Sequence, residues 1–141
     1  MRKYYAVIDT NVLVSAALRM ESVPGSIIEL AITGVVIPVI NDEIVNEYRE
    51  VLSRPKFRFP IDLVDELIDG ICRRAISVTA DTLDIDLPDP KDKVFYEVTM
   101  ESRKKDETYL VTGNLKHFPV KPFVVSPREM LDIIVEGIDS E

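Results

Sequence analysis

The sequence predicts an α/β domain in which helices cover both faces of a central parallel β-sheet. Short apolar runs alternate along the chain with segments whose apolar residues recur at helical spacing, as they do in βαβ units. The runs "YYAVI" and "VVIPVI" are apolar almost throughout, which is typical of strands buried inside a parallel sheet. At 141 residues and without an internal repeat, the chain is expected to form a single domain, 1–141.

The first half of the chain carries the patterns of two strands and three helices. They are predicted as a strand over 4–9, a helix over 11–20, a helix from Ser22 or Gly25 to Gly34, a strand over 35–40, and a helix from Asn41 or Asp42 to about Ser53. The segment "RPKFRFP" then interrupts the helical pattern.

The second half continues the alternation. It is predicted as a helix over 60–76, a weak strand at "ISV", an acidic connector "DTLDIDLPDP", a helix over 90–103, the strands "YLVT" and "FVV", and a helix that opens with "SPREMLDII". The start of the last helix is well marked, because Ser126 can cap it, Pro127 suits its first position and Glu129 completes a capping box.

The composition narrows the classes of protein to which the chain can belong. The formal net charge of −8 is unlike the basic excess of most nucleic-acid-binding proteins, although 17 lysine and arginine residues could still cluster locally. The single cysteine, Cys72, excludes a disulfide framework and a cysteine-rich zinc site, and its place on an apolar helix stripe predicts a core thiol. No glycine-rich phosphate-binding motif, membrane-spanning run or signal peptide pattern is found, so we expect a cytoplasmic protein with no membrane partner.

An acidic residue ends the first predicted strand. Asp9 follows "YYAVI", where packing gives no reason for a carboxylate. In parallel sheets, ligands bind at the carboxyl ends of the strands. The "TGN" of residues 112–114 leaves the strand "YLVT" in the same way, although it is also typical of a simple turn. We therefore expect Asp9 to lie where a ligand binds.

Two further acids lie on predicted helices. On the third helix, Glu47 lies about 100° from the centre of the apolar stripe, whereas Glu43 and Glu50 lie about 140° and 160° away. Glu47 can therefore point along the protein, although a solvated glutamate is the simpler interpretation. Asp92 lies at the third position of a helix that Asp89 can cap, where a carboxylate can accept backbone hydrogen bonds without any further function.

Together these separated polar groups suit a divalent cation. Mg²⁺ prefers oxygen ligands, usually one or two carboxylates with waters and substrate phosphates. Ions of this kind promote the hydrolysis of phosphodiesters, because they generate a nucleophile and neutralise charge on the phosphate. The pattern therefore favours metal-dependent chemistry on a phosphodiester.

Four motifs resemble those of the PIN-domain ribonucleases, and in particular the toxins of toxin–antitoxin pairs. They are, in the order of that family, "VIDTNVLVSAAL", "EIVNEYREVL", "DPKDKVFYEV" and "YLVTGNLKHF". The resemblance implies a three-layer α/β/α fold with a central parallel sheet and an acidic pocket for Mg²⁺ or Mn²⁺. It also implies cleavage of single-stranded RNA by water activation, with a cognate antitoxin protein as a partner. A homodimer is possible, and the sequence leaves the oligomeric state open.

Carried over by position, the resemblance implies a catalytic set of four residues. Asp9, Glu47 and Asp92 match the first three acids of the family and would hold the metal. The fourth acidic position is Asn114 here, and its neutral amide would orient water or complete an outer shell. Because an amide carries no charge, a second tightly held metal ion is not expected.

Supporting roles follow from the same resemblance. Thr10 and Asn11 match the polar pair beside the first acid, and Thr112 matches a hydroxyl that supports it. Six basic residues near the motifs are candidates for gripping RNA phosphates, although ordinary solubility charges explain each cluster as well: Arg54, Lys56, Arg58, Lys91, Lys93 and Lys116.

The sequence is therefore compatible with two functions from different classes. The first is a metal-dependent endoribonuclease, and the second is a degenerate PIN fold that binds RNA or protein without cutting it. An acid-pocket phosphatase is disfavoured, since "DTN" lacks a second aspartate two residues after the first. His117, the only histidine, is interpreted as a solvated loop residue rather than an RNA contact.

Overall fold

A computed structural model describes residues 2–139, which contain a five-stranded parallel sheet flanked by six helices. The strands are β1 (Tyr4–Ile8), β2 (Val36–Ile40), β3 (Ile76–Ser77), β4 (Thr108–Val111) and β5 (Val124–Val125). The helices are α1 (Thr10–Leu18), α2 (Val23–Thr33), α3 (Asp42–Leu52), α4 (Ile61–Cys72), α5 (Lys93–Ser102) and α6 (Pro127–Asp139). Short 3₁₀ turns occupy Pro55–Phe57, Pro90–Asp92 and Leu115–His117. The predicted three-layer α/β/α class is confirmed.

The strand order is β3-β2-β1-β4-β5, so β1 lies at the centre of the sheet. Every neighbouring pair is parallel, and Ile8 of β1 is in register with Val111 of β4. The ladder continues one residue further, because the Asp9 amide donates to the Val111 carbonyl at 2.9 Å. The ends of β1 and β4, and the polar residues that follow them, therefore lie side by side.

Aromatic side chains anchor α3 and α5 beneath the end of β1. Tyr48 of α3 is fully buried, and its hydroxyl donates to the carbonyl oxygen of Ile8. Phe95 of α5 is also fully buried, and its ring centroid lies 6.4 Å from that of Tyr48. Since Glu47 precedes Tyr48 and Asp92 lies one turn before Phe95, this packing brings both acids to the end of β1.

The predicted element boundaries need four corrections. The strand expected over 4–9 ends at Ile8, since Asp9 already serves as the residue before α1. The helix expected over 11–20 ends at Leu18, because the backbone of Arg19 is extended. The helix expected over 60–76 ends at Cys72, because the chain must turn before Ile76 pairs with β2. The helix expected over 90–103 begins as a 3₁₀ turn and becomes α-helical only at Lys93.

The predicted helix starts are confirmed by their caps. Ser22 accepts the amide of Gly25 at 3.1 Å, and Asn41 accepts the amide of Ile44 at 2.9 Å. At α6 the capping box forms as expected from its sequence, with the two bonds between Ser126 and Glu129 at 2.9 and 3.1 Å. Each bond satisfies an amide that the helix itself leaves without a partner.

Two smaller expectations concern Cys72 and the membrane. The side chain of Cys72 is half-buried and packs against the core, as predicted. Within residues 2–139, no helix has the length and apolar character that crossing a membrane requires.

Candidate active site

Asp9 lies between the end of β1 and the start of α1, and it is 4% exposed. Its Oδ2 accepts hydrogen bonds from the Thr112 hydroxyl at 2.8 Å and from the Asn11 amide at 3.1 Å. Thr112 follows β4, so the neighbouring strand supplies one donor and α1 supplies the other. These bonds fix the orientation of a nearly buried carboxylate.

Glu47 reaches the same place from α3. The Thr10 hydroxyl donates to Glu47 Oε2, so the residue after Asp9 holds the second acid. The resemblance implies that Thr10 lies beside the first acid, Asp9. In the structure the Thr10 hydroxyl contacts the carboxylate of Glu47. Glu47 is half-buried at the border of the helix, which is the orientation expected from its angle to the apolar stripe.

Asp92 comes from the 3₁₀ turn before α5, and its side chain is 14% exposed. Its Oδ2 lies 3.0 Å from Nδ1 of His117. The structure corrects two expectations here. Asp92 makes no capping bond to the backbone, because Asp89 takes that role and accepts the Lys91 amide at 3.0 Å. His117 is not a freely solvated loop residue, because it contacts Asp92.

Asn114 lies at the rim of the site, and its side chain is exposed. Its backbone amide donates to the Thr112 hydroxyl at 2.9 Å, and the Gly113 amide donates to Asn11 Oδ1 at 2.9 Å. The turn after β4 is thus tied to the start of α1. A side chain at Gly113 would crowd this contact, since an added Cβ would lie 3.2 Å from Asn11 Oδ1.

The three acids and Asn114 line one open cleft of about 460 Å³. Polar and apolar residues from five parts of the chain line the rest of the cleft: Thr10, Asn11, Val14, Ser15, Val51, Arg54, Phe57, Asp89, Lys91 and His117. Ser15, Asp89 and His117 line the cleft although no sequence pattern predicts a site role for them. The 3₁₀ turn Leu115–His117 places His117 beside Asp92.

Of the six basic candidates, two line this cleft. Arg54 does so while it pairs with Glu50 at 3.0 Å, and Lys91 does so from the turn that carries Asp92. The four others do not line it: Lys56, Arg58, Lys93 and Lys116. Lys56 instead lies over the ring of Phe57, with its ammonium 5.0 Å from the ring centroid.

Burial and mutual repulsion favour the neutral form of Asp9. Burial is the main cause that raises the pKa of Asp9 to about 6, and the charges of Asp92 and Glu47 raise it further. The hydrogen bond from Thr112 opposes this rise, because it stabilises the charged carboxylate.

The pKa values of the other two acids are raised as well. Burial raises the pKa of Glu47, against the hydrogen bond from Thr10. Burial also raises the pKa of Asp92, against the hydrogen bond from His117. Three acids whose charged forms are disfavoured in one cleft form a site that a cation would stabilise.

The side-chain donors to each acid converge on a single oxygen of that acid. These oxygens are Oδ2 of Asp9, Oε2 of Glu47 and Oδ2 of Asp92. Within the described part of the chain, the second oxygen of each carboxylate takes no side-chain hydrogen bond. Each acid therefore keeps one oxygen that no side chain engages, while Asp9 accepts a further hydrogen bond from the backbone of Thr10.

The donor chemistry fits a hard divalent cation. Among residues 2–138, no three His, Cys, Asp or Glu side chains are close enough together to hold a metal ion by themselves. Mg²⁺ needs no such cage, because it commonly binds through one or two carboxylates and keeps waters or substrate phosphates as its other ligands. Carboxylate oxygens in an open cleft match that mode of binding.

A family model described as the PIN domain matches residues 5–116. The matched range covers most of the chain and includes Asp9, Glu47, Asp92 and Asn114, and it stops one residue before His117. No match was found among curated proteins or among solved structures.

Proposed function

This chain belongs to the PIN-domain family, whose members are generally nucleases, and we propose that it is a metal-dependent endoribonuclease that cleaves single-stranded RNA. The observation that carries the proposal is the grouping of three carboxylates from β1, α3 and the start of α5 in one cleft. Each of the three accepts its side-chain hydrogen bonds through a single oxygen, which fixes its orientation. The cleft is open, so an extended strand can enter it without unfolding the protein.

The cofactor in this proposal is Mg²⁺ or Mn²⁺, which one or two of the carboxylates of Asp9, Glu47 and Asp92 would bind directly, with waters or substrate phosphate as its other ligands. Such an ion supplies a nucleophile at neutral pH and neutralises charge on the attacked phosphate. The protein contributes orientation: Thr112 and Asn11 fix Asp9, Thr10 fixes Glu47, and Asn114 offers an amide at the rim to orient water. In the reaction, a water oxygen bonds to phosphorus, a P–O bond of the backbone breaks, and the leaving oxygen takes a proton.

The test is an assay of a labelled single-stranded oligoribonucleotide with and without Mg²⁺ or Mn²⁺. Cleavage that needs the metal and disappears with chelator supports the proposal. If the chain binds the oligonucleotide but never cuts it, at any metal concentration, the chain is the non-catalytic binding module instead. A single-stranded DNA of the same sequence measures the preference for RNA.

The neutral amide of Asn114 yields a prediction about metal affinity. Asn114→Asp is expected to tighten Mn²⁺ binding by about tenfold, or about 1.4 kcal/mol, because a carboxylate attracts a cation more strongly than an amide does. Turnover need not rise, since a metal held equally well before and during the reaction does not lower the barrier. Calorimetric titration of both proteins measures the difference. Equal affinity and stoichiometry would place Asn114 outside the metal site.

The positions of the basic residues yield a prediction about RNA affinity. Arg54→Gln with Lys91→Gln is expected to weaken binding of single-stranded RNA and to reduce the slope of log affinity against log salt by about 1.4, for two lost phosphate contacts. The control is Lys56→Gln with Arg58→Gln, which removes the same charge from residues that do not line the cleft. Fluorescence anisotropy at several salt concentrations compares them. A larger effect of the control pair would place the RNA path outside the cleft.

The toxin role extends the proposal to a biological setting. It includes a cognate antitoxin protein that would block the cleft, and it rests on the resemblance to toxins. Arrest of growth on expression of the wild type, but not of an Asp9→Asn variant, is the expected result. Growth arrest by both proteins would show that the toxicity does not depend on nuclease activity.

A further inference from the structure

A chain of hydrogen bonds links Asp9 to Asp92 through the segment that follows β4. Asp9 Oδ2 accepts the Thr112 hydroxyl, and the Thr112 hydroxyl accepts the Asn114 amide at 2.9 Å. The Asn114 carbonyl accepts the amide of His117 at 3.0 Å, which closes the 3₁₀ turn. The ring of His117 then contacts Asp92 at 3.0 Å. One short segment therefore touches the acid at the end of β1 and the acid at the start of α5.

Other groups near Asp92 compete with His117 for its carboxylate or repel it. Asp92 lies at the start of α5, where the helix dipole attracts a carboxylate, yet its side chain makes no capping bond. Asp89, Asp9 and Glu47 are acidic neighbours that repel it. Without the ring of His117, the carboxylate would be free to turn away from these acids and into solvent. The contact with His117 is the side-chain hydrogen bond that Asp92 accepts among the described residues.

We propose that His117 is a positioning residue, which holds the carboxylate of Asp92 in the cleft opposite Asp9 through its Nδ1–H. The ring is not expected to bind RNA phosphate or to ligate the metal itself. The consequence for metal binding rests on the proposed function, because it requires that Asp92 be a ligand. The geometry of the hydrogen bond does not depend on that function.

The first experiment needs neither metal nor RNA. Because His117 is the only histidine, nitrogen NMR of the metal-free protein reports this ring alone. In a neutral ring, donation to Asp92 requires that the single ring proton be on Nδ1. The Nδ1–H tautomer is therefore expected to dominate. In Asp92→Ala the ring should return to the Nε2–H form that free histidine prefers. An Nε2–H ring in the wild type overturns the proposal, whatever the enzyme activity is.

The second experiment uses two amide substitutions that differ in the ring nitrogen they replace. The amide nitrogen of His117→Asn occupies the place of Nδ1, whereas that of His117→Gln lies near the place of Nε2. Mn²⁺ affinity, measured by calorimetry, is expected to fall about tenfold in His117→Gln and in His117→Ala, and to stay within about twofold of wild type in His117→Asn. Affinity for single-stranded RNA without metal is expected to be the same in all four proteins.

The outcomes separate this inference from the proposed function. If the wild type binds Mn²⁺ and all three variants bind it equally well, only the positioning role fails. If the variants lose RNA affinity while Mn²⁺ affinity is kept, His117 contacts the substrate and the proposal is overturned. If the wild type binds no Mn²⁺, the metal-dependent function itself fails, and the tautomer alone decides whether His117 holds Asp92.

Discussion

Asp9→Asn is expected to reduce metal-dependent RNA cleavage by more than about 100-fold while the protein remains folded. Asp9 lines the cleft, and the change removes the charge of a proposed metal ligand. The asparagine keeps an oxygen that can accept the Thr112 hydroxyl, so the packing around the end of β1 is preserved. Single-turnover cleavage at saturating Mn²⁺ measures the loss.

Asp132→Asn provides a matched control. Asp132 lies on the exposed side of α6 and does not line the cleft, so the same chemical change there should leave cleavage unaltered. If Asp9→Asn cuts RNA as fast as the wild type, the acids are not the metal site and the proposed function is wrong.

Asp9→Asn is also expected to be more stable than the wild type when metal is absent. The pKa of Asp9 is about 6 in the folded protein and about 3.9 in an unfolded chain. Between these pH values the folded state binds more protons, so the free energy of unfolding of the wild type falls as pH rises from about 4 to about 6. The loss is at most about 3 kcal/mol, and the asparagine variant lacks it. Urea unfolding at pH 4 and pH 7, with chelator present, compares the two proteins.

Divalent cation is expected to stabilise the wild type strongly at pH 7. A ligand that binds only the folded state adds about 2.7 kcal/mol at one hundred times its dissociation constant. For a domain of this size that corresponds to a rise in Tm of about 10 °C. Thermal unfolding with increasing Mn²⁺ measures the rise. An equal rise in Asp9→Asn would show that the cation binds elsewhere.

The fold was predictable because its signals are local. The apolar strands β1 and β2 and the amphipathic α3 follow from residue periodicity, and the caps Ser22, Asn41 and Ser126 follow from residue type at helix starts. The errors occur where one residue serves two elements. Asp9 is predicted as the last residue of the strand, but in the structure it is the N-cap residue of α1. Likewise the turn before α5 is a 3₁₀ turn, and the helical periodicity of the sequence does not distinguish a 3₁₀ turn from the first turn of an α-helix.

The candidate site was only partly predictable, because its partners are chosen by tertiary structure. Helix angle correctly indicated that Glu47 lies at the border of α3. Nothing in the sequence shows that the Thr10 hydroxyl contacts Glu47 or that His117 contacts Asp92, since each pair joins separate elements. For Asp92 the sequence left backbone capping open beside metal binding, and the structure shows contact with the imidazole of His117 in place of a capping bond.

The central place of β1 has a consequence for the order of events during synthesis. The bond from Thr10 to Glu47 spans 37 positions, and the bond from Thr112 to Asp9 spans 103. A nascent chain therefore exposes Asp9 long before β4 exists to pair with β1 and to deliver Thr112 and Asn114. No fragment that ends before His117 contains the complete set of contacts, and long-range contacts of this kind form late because the intervening chain must first be ordered. For a protein that would cut RNA, the cleft is completed only after the chain has been synthesised through His117.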